Sequence, residues 1–160
     1  MATFTPCKFE RPAQYQQALL ALIHSAEREL KLFEVDFGIA GIGSRAFAEA
    51  LGGRFVACDS LKVTLLALQP EHIAAHAPRI LDLRETWSHR FTMLRVSQPP
   101  QLWHAAFATA DGARYVKRHH FDWPRGEAGT DTRELAGLGQ VFDELLQLGE
   151  SEFSWQRMML

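Results

Sequence analysis

The chain has 160 residues, of which 47% are hydrophobic and 22% charged, with a net charge of -2 when histidine is neutral. That length suits one domain and leaves little room for a second core. Nineteen acidic against seventeen basic residues exclude recognition of duplex nucleic acid by bulk charge, although a local basic patch stays open.

The first residues lack the basic and apolar halves of a secretory leader, and no apolar run approaches a transmembrane length. The two cysteines, Cys7 and Cys58, form no C-x-x-C pair or disulfide framework. A reduced, cytoplasmic setting is therefore expected.

In chain order, Pro12 to about Arg28 reads as an amphipathic helix with Tyr15, Ala18, Leu19, Leu22, Ile23 and Ala26 on one face. Leu30–Phe37 reads as a strand with Phe33, Val35 and Phe37 on one side. Gly38, Gly41 and Gly43 then break regularity. Ser44 caps a short helix through Phe47, Ala48 and Leu51, with its end or a weak point at Gly52-Gly53. Lys62–Leu68 is nearly continuous apolar, as in a strand covered on both faces. Pro70 opens a helical run, Pro78 restarts it towards Trp87, and Phe91–Val96 forms the next strand.

After Pro99-Pro100, the runs Leu102–Thr109 and Ala113–His120 flank Asp111-Gly112, a strong hairpin signal. Phe121–Thr130 reads as a Gly- and Pro-punctuated loop. Asp131-x-x-Glu134 then fits a capping box ahead of Leu135, Leu138, Val141, Phe142, Leu145 and Leu148, with Gly149 closing the helix. The tail 151–160, with Phe153, Trp155 and a Met-Met-Leu end, reads as a segment that docks on a core or partner. Alternating helices and strands plus a hairpin give a single α/β domain, a mixed sheet flanked by helices, with its core at about 12–150.

The densest ionisable cluster falls on the hairpin. His104 lies on its first strand on the same face as Ala106 and Ala108, Asp111 sits at the turn, and Arg114, Lys117, Arg118, His119 and His120 lie on the second. Read alone, His104 is a hydrogen-bonded core or edge histidine, Asp111 a turn former, and Lys117–His120 a solvated edge. His72 and His76, four apart on a helix, lack a third ligand and read as a solvated face, so no metal or other cofactor is expected. The Gly38–Gly43 stretch lacks a dinucleotide or Walker pattern and reads as a flexible loop.

His104-Ala-Ala-Phe-Ala-Thr-Ala-Asp111, with the order of elements over about 12–150, resembles one half of the phospholipase D-like superfamily and its H-x-K-x-x-x-x-D motif. Pro78-Arg-Ile-Leu-Asp-Leu83 and Phe142-Asp-Glu-Leu look like segments of its small bacterial members without an assigned activity. Ala106 stands at the lysine position, and Arg118-His-His-Phe121 stands where the family has Gly-Ser-x-Asn.

The resemblance implies a histidine nucleophile, a second histidine that protonates the leaving group, and lysines that stabilise phosphoryl oxygens. Two motifs meet about a pseudo-twofold, so a single-motif chain is expected to act as a homodimer. Loss of one such cation commonly lowers the rate on the order of 100-fold. Strand alternation sends Lys117 and Arg118 to opposite faces, so at most one replaces it.

The leading expectation is a catalytically degenerate, phosphate-group-binding or protein-interaction module using Lys117, Arg118, His119 and His120. One alternative is an active phosphodiesterase or phosphatidyltransferase-like enzyme with catalytic His104 and Asp111 at a dimer interface. The other is a structural α/β domain without a ligand.

Overall fold

Hydrophobic alternation and helix-capping chemistry set the frame of the chain. The computed structural model describes residues 3–97 and 103–151. Its elements are β1 (Cys7–Phe9), α1 (Pro12–Ser25), β2 (Glu29–Glu34), α2 (Arg45–Ala57), β3 (Lys62–Ala67), α3 (Glu71–His76) and α4 (Pro78–Thr86). They continue with β4 (Phe91–Val96), β5 (Ala106–Ala110), β6 (Arg114–Arg118), β7 (Gly126–Gly129), α5 (Thr132–Gln147) and β8 (Gly149–Glu150).

The strands form one mixed sheet in the order β1-β7-β6-β5-β2-β3-β4-β8. β2, β3 and β4 are parallel, and every other neighbouring pair is antiparallel. The expected fold class, one α/β domain with a mixed sheet between helices, is what the chain adopts. The Pro99-Pro100 break, Leu102 and the apolar tail beyond Ser151 lie outside the described residues.

Helix starts follow local chemistry. Pro occupies a first-turn position in α1 and α4, where its missing N–H costs nothing. Gln14 reaches back to accept the N–H groups of Glu10 and Arg11, and Ser44 Oγ accepts the Phe47 N–H. Asp131 accepts from Arg133 and Glu134 at the start of α5, as its spacing predicts. The reciprocal half of that capping box does not form, because the Glu134 carboxylate pairs with Lys117 instead.

Alternation along each strand divides the core. Leu30, Leu32, Val63, Leu65, Ala108 and Val116 face a layer built from α1 to α4. Phe33, Leu66, Val96, Phe107 and Tyr115 face α5 through Leu138, Phe142 and Leu145. Ring contacts of 5.7 Å between Phe33 and Phe107 and 6.2 Å between Phe107 and Phe142 tie that second layer together.

Several expectations are corrected. The second helix continues through Gly52-Gly53 to Ala57, because Phe55 is fully buried and stacks on Trp87 at 5.6 Å. β2 ends at Glu34, and Phe37 packs into the core from the following turn with φ 65° rather than along the strand. The hairpin's first strand starts at Ala106, so Trp103 and His104 precede it.

Part of the expected loop 121–130 is strand β7, where glycine marks close backbone approach rather than a turn. A Cβ at Gly126 would lie 1.9 Å from the Lys117 carbonyl oxygen, and one at Gly129 would lie 2.7 Å from the Tyr115 hydroxyl. Gly126→Ala is therefore expected to break the β6–β7 pairing and lower stability by several kcal/mol on the order of a severe core defect. Gly137→Ala on α5, where an added Cβ meets open space, should instead raise stability by about 0.5–1 kcal/mol. Urea titrations of both variants check the contrast.

Candidate functional site

Alternation along β2 puts Glu34 on the same face as Leu30 and Leu32, towards α1, where an acidic side chain needs a partner. That partner is Arg118 of β6, and both residues are about 1% exposed. Arg118 Nε donates to Glu34 Oε2 at 2.8 Å and Nη2 to Oε1 at 2.7 Å, a two-point fork. The Tyr15 hydroxyl donates to Oε2 at 2.9 Å and the Val35 N–H to Oε1 at 2.9 Å. Burial works against the charge on Arg118, but the Glu34 hydrogen bonds and charge outweigh it and raise its pKa. Burial first, and then the Glu34 charge, push the Tyr15 phenol well above its ordinary value. Tyr15 is therefore a neutral donor.

The remaining guanidinium nitrogen organises the segment after β6. Arg118 Nη1 donates to the carbonyls of His120, Phe121 and Trp123 at 3.2, 2.9 and 2.6 Å. Arg118 was expected as a ligand-binding group; it is instead an interior residue whose three nitrogens are engaged by the protein. Ala106, fully buried on β5, is its cross-strand partner. The position that resembles the motif lysine thus lies beside a cation already held by Glu34.

Lys117 takes the opposite face, as alternation requires, and pairs with Glu134 on the α5 side. It shares no face with Ala106.

Topology gathers other side chains at one end of the sheet. The parallel strands β2, β3 and β4 finish there, antiparallel β5 starts there and β6 leaves there. His104, exposed, lies just before β5; His119 and His120 lie just after β6. The rings of His104 and His120 have centroids 5.0 Å apart and are tilted by 38°. The Phe121 N–H donates to the His104 carbonyl at 2.8 Å, joining the two segments.

His120 continues to Trp123 at 5.0 Å, and the Arg125 guanidinium lies 4.3 Å from the Trp123 ring centre. Trp123 is 43% exposed. His119 Nε2 stands 4.0 Å from Glu127. Trp123 and Arg125 escape sequence reasoning because they sit in a stretch whose Pro and Gly content reads only as loop. An exposed Trp two residues from an Arg is the one signal there.

Asp111 does not join this end. Six residues of β5 and its approach separate it from His104, about 20 Å of extended chain. With φ 56°, and φ 64° at Gly112, the pair makes the tight hairpin turn that the Asp-Gly spacing predicts. Its carboxylate accepts the N–H groups of Glu27, Arg28 and Glu29, and Arg114 Nη2 donates to it at 2.7 Å. Burial opposes ionisation of Asp111, but these backbone donors and the Arg114 charge prevail and hold its pKa below the usual carboxylate range.

Elsewhere, the His72 and His76 rings lie 4.6 Å apart, and among the described residues no group of three metal-ligating side chains occurs. Gly43 packs tightly on α3, where a Cβ would sit 2.6 Å from the His76 carbonyl oxygen. The loop that was expected to be merely flexible is thus fastened to a helix.

This sheet and its helices define a phospholipase D-like fold, which solved structures share. NucT from Helicobacter pylori is 12% identical with a TM-score of 0.65, over 93% of this chain and 99% of that one. The phospholipase D family member Nuc from Salmonella typhimurium is 11% identical with a TM-score of 0.63, over 92% and 99%. TrmBL2, an archaeal chromatin protein with a novel mode of DNA binding, is 12% identical with a TM-score of 0.65 over 92% of this chain. The chain spans about half the length of that archaeal protein, 54%. Residues 11–155 match the family described as Domain of unknown function (DUF7931), and the chain belongs to that family. No curated protein matches it. No helix among the described residues is long and apolar enough to cross a membrane.

Asp111→Ala should lower stability on the order of 2–4 kcal/mol, since backbone donors at Glu27–Glu29 lose a charged acceptor. The folded-state pKa is depressed, so this contribution is present above the unfolded carboxylate pKa and is lost as pH falls through the folded value. Urea unfolding at neutral and at strongly acidic pH should therefore show wild type and variant converging in acid.

Proposed function

We propose that this domain binds a phosphate-bearing ligand at the His104 end of its sheet and does not turn over phosphodiesters. The observation that carries the reading is the pairing of Arg118 with Glu34 beside Ala106. A phosphoryl transition state is stabilised by cations already aimed at the oxygens where its charge develops. Here the lysine position is alanine, the adjacent guanidinium is neutralised by Glu34, and Lys117 lies on the other face with Glu134. Imidazole donors at His104, His119 and His120 and the Arg125 cation suit recognition of an anion. The shared fold with phospholipase D family structures supports phosphate chemistry as the ligand class, and the aromatic neighbours allow an ester with a flat substituent.

Ala106 also suits its buried place beside Arg118. A lysine there would put a second cation on the buried face that already holds Arg118, so Ala106→Lys should destabilise the fold and confer no turnover.

The test pairs two measurements on the full chain. Inorganic phosphate and a simple phosphodiester should shift the His104 ring resonances in NMR, with the response weakened in Arg125→Ala. Incubation with a chromogenic phosphodiester should give no turnover above background and no acid-labile phosphohistidine. Turnover that disappears in His104→Ala would overturn the binding-module reading in favour of the enzyme.

A further inference from the structure

We infer that one copy of the chain carries a complete two-histidine phosphate site, with His104 and His120 contacting the same phosphate group. This rests on the phosphate-binding reading above and adds the identity and origin of the second histidine. The phospholipase D-like resemblance takes that residue from a second motif, and so from a second copy of a single-motif chain. Here another imidazole is already in place.

Three features of the structure bring the pair together. The ring centroids are 5.0 Å apart, close enough for nitrogens of both rings to reach oxygens of one tetrahedral anion. The hydrogen bond from Phe121 N–H to the His104 carbonyl fixes the segment after β6 against the segment before β5. Arg118 holds the His120, Phe121 and Trp123 carbonyls from below, so the His120 backbone is set by a buried ion pair rather than by solvent.

The hydrogen bonding of His120 also defines what it offers. Its Nδ1 accepts the Asp122 N–H at 3.0 Å, which leaves the proton of the neutral ring on Nε2. His120 thus presents an N–H donor without first taking up a proton. Its other neighbours are the Asp122 carboxylate, 3.5 Å from Nδ1, and the Trp123 ring. Nδ1 is thus engaged by Asp122, and Nε2 is the nitrogen assigned to the anion.

Phosphate titration followed through histidine ring resonances, with two variants, tests this. In wild type, His104 and His120 should respond to inorganic phosphate with one common affinity. His120→Phe, which keeps a ring against His104 and Trp123 but removes both nitrogens, should weaken the His104 response at least about 10-fold. Mixing His104→Ala with His120→Phe chains should restore nothing, since each site draws both histidines from one copy.

Unchanged phosphate affinity in His120→Phe would overturn the inference while leaving phosphate binding at His104 intact. Binding restored on mixing would overturn it in favour of a site built across two copies. Absence of any His104 response in wild type would overturn the phosphate-binding reading itself, and this inference with it.

Discussion

A carboxylate and a guanidinium buried together between a helix and a sheet need each other. Glu34 and Arg118 are each about 1% exposed and bridge β2, β6 and, through Tyr15, α1. Removing either partner leaves an uncompensated charge in the interior, a loss of about 3–5 kcal/mol in comparable pairs. Replacing both by apolar groups of similar volume is often neutral, so the pair is better understood through what it positions. What it positions is the turn after β6, held by three carbonyl contacts to a single guanidinium nitrogen.

That arrangement links the interior to the exposed end of the sheet. The Arg118 cation, cross-strand partner of Ala106, is paired with Glu34 and holds the backbone beneath His120 and Trp123. One guanidinium therefore joins the buried carboxylate of β2 to the backbone carbonyls of His120, Phe121 and Trp123. Asp111 plays a corresponding part at the far end, where its carboxylate binds the backbone leading into β2. A motif-like spacing of His and Asp thus spans the hairpin without placing the two in one site.

Much of the fold was legible because local chemistry and hydrophobic period agreed. Lys62–Leu68 reads as an interior strand, Asp111-Gly112 as a tight hairpin and Asp131 as a helix cap, and each forms, the strand over Lys62–Ala67. The misreadings came where glycine serves packing rather than punctuation. Gly126 and Gly129 lie within a strand, and Gly52-Gly53 lies inside a helix secured by Phe55.

Of the candidate site, His104, His119 and His120 lie at one sheet end, whereas Arg118 turns into the interior, Lys117 turns to the α5 face and Asp111 lies at the far end of the hairpin. Strand alternation separated Lys117 from Arg118 correctly. Which of them was buried depended on Glu34, 84 positions away in sequence. An acidic residue following Leu30 and Leu32 on the same strand face was the only local sign of it.

Glu34 and Arg118 form one unit. A double-mutant cycle measures this directly, using Glu34→Gln, Arg118→Met and the double variant, with unfolding free energies at neutral pH. If the two residues are coupled as described, the double variant loses less than the sum of the two single losses, with a coupling energy above about 2 kcal/mol. Additivity within about 0.5 kcal/mol would contradict it, because two residues that do not sense one another cannot be the interaction on which this structure depends.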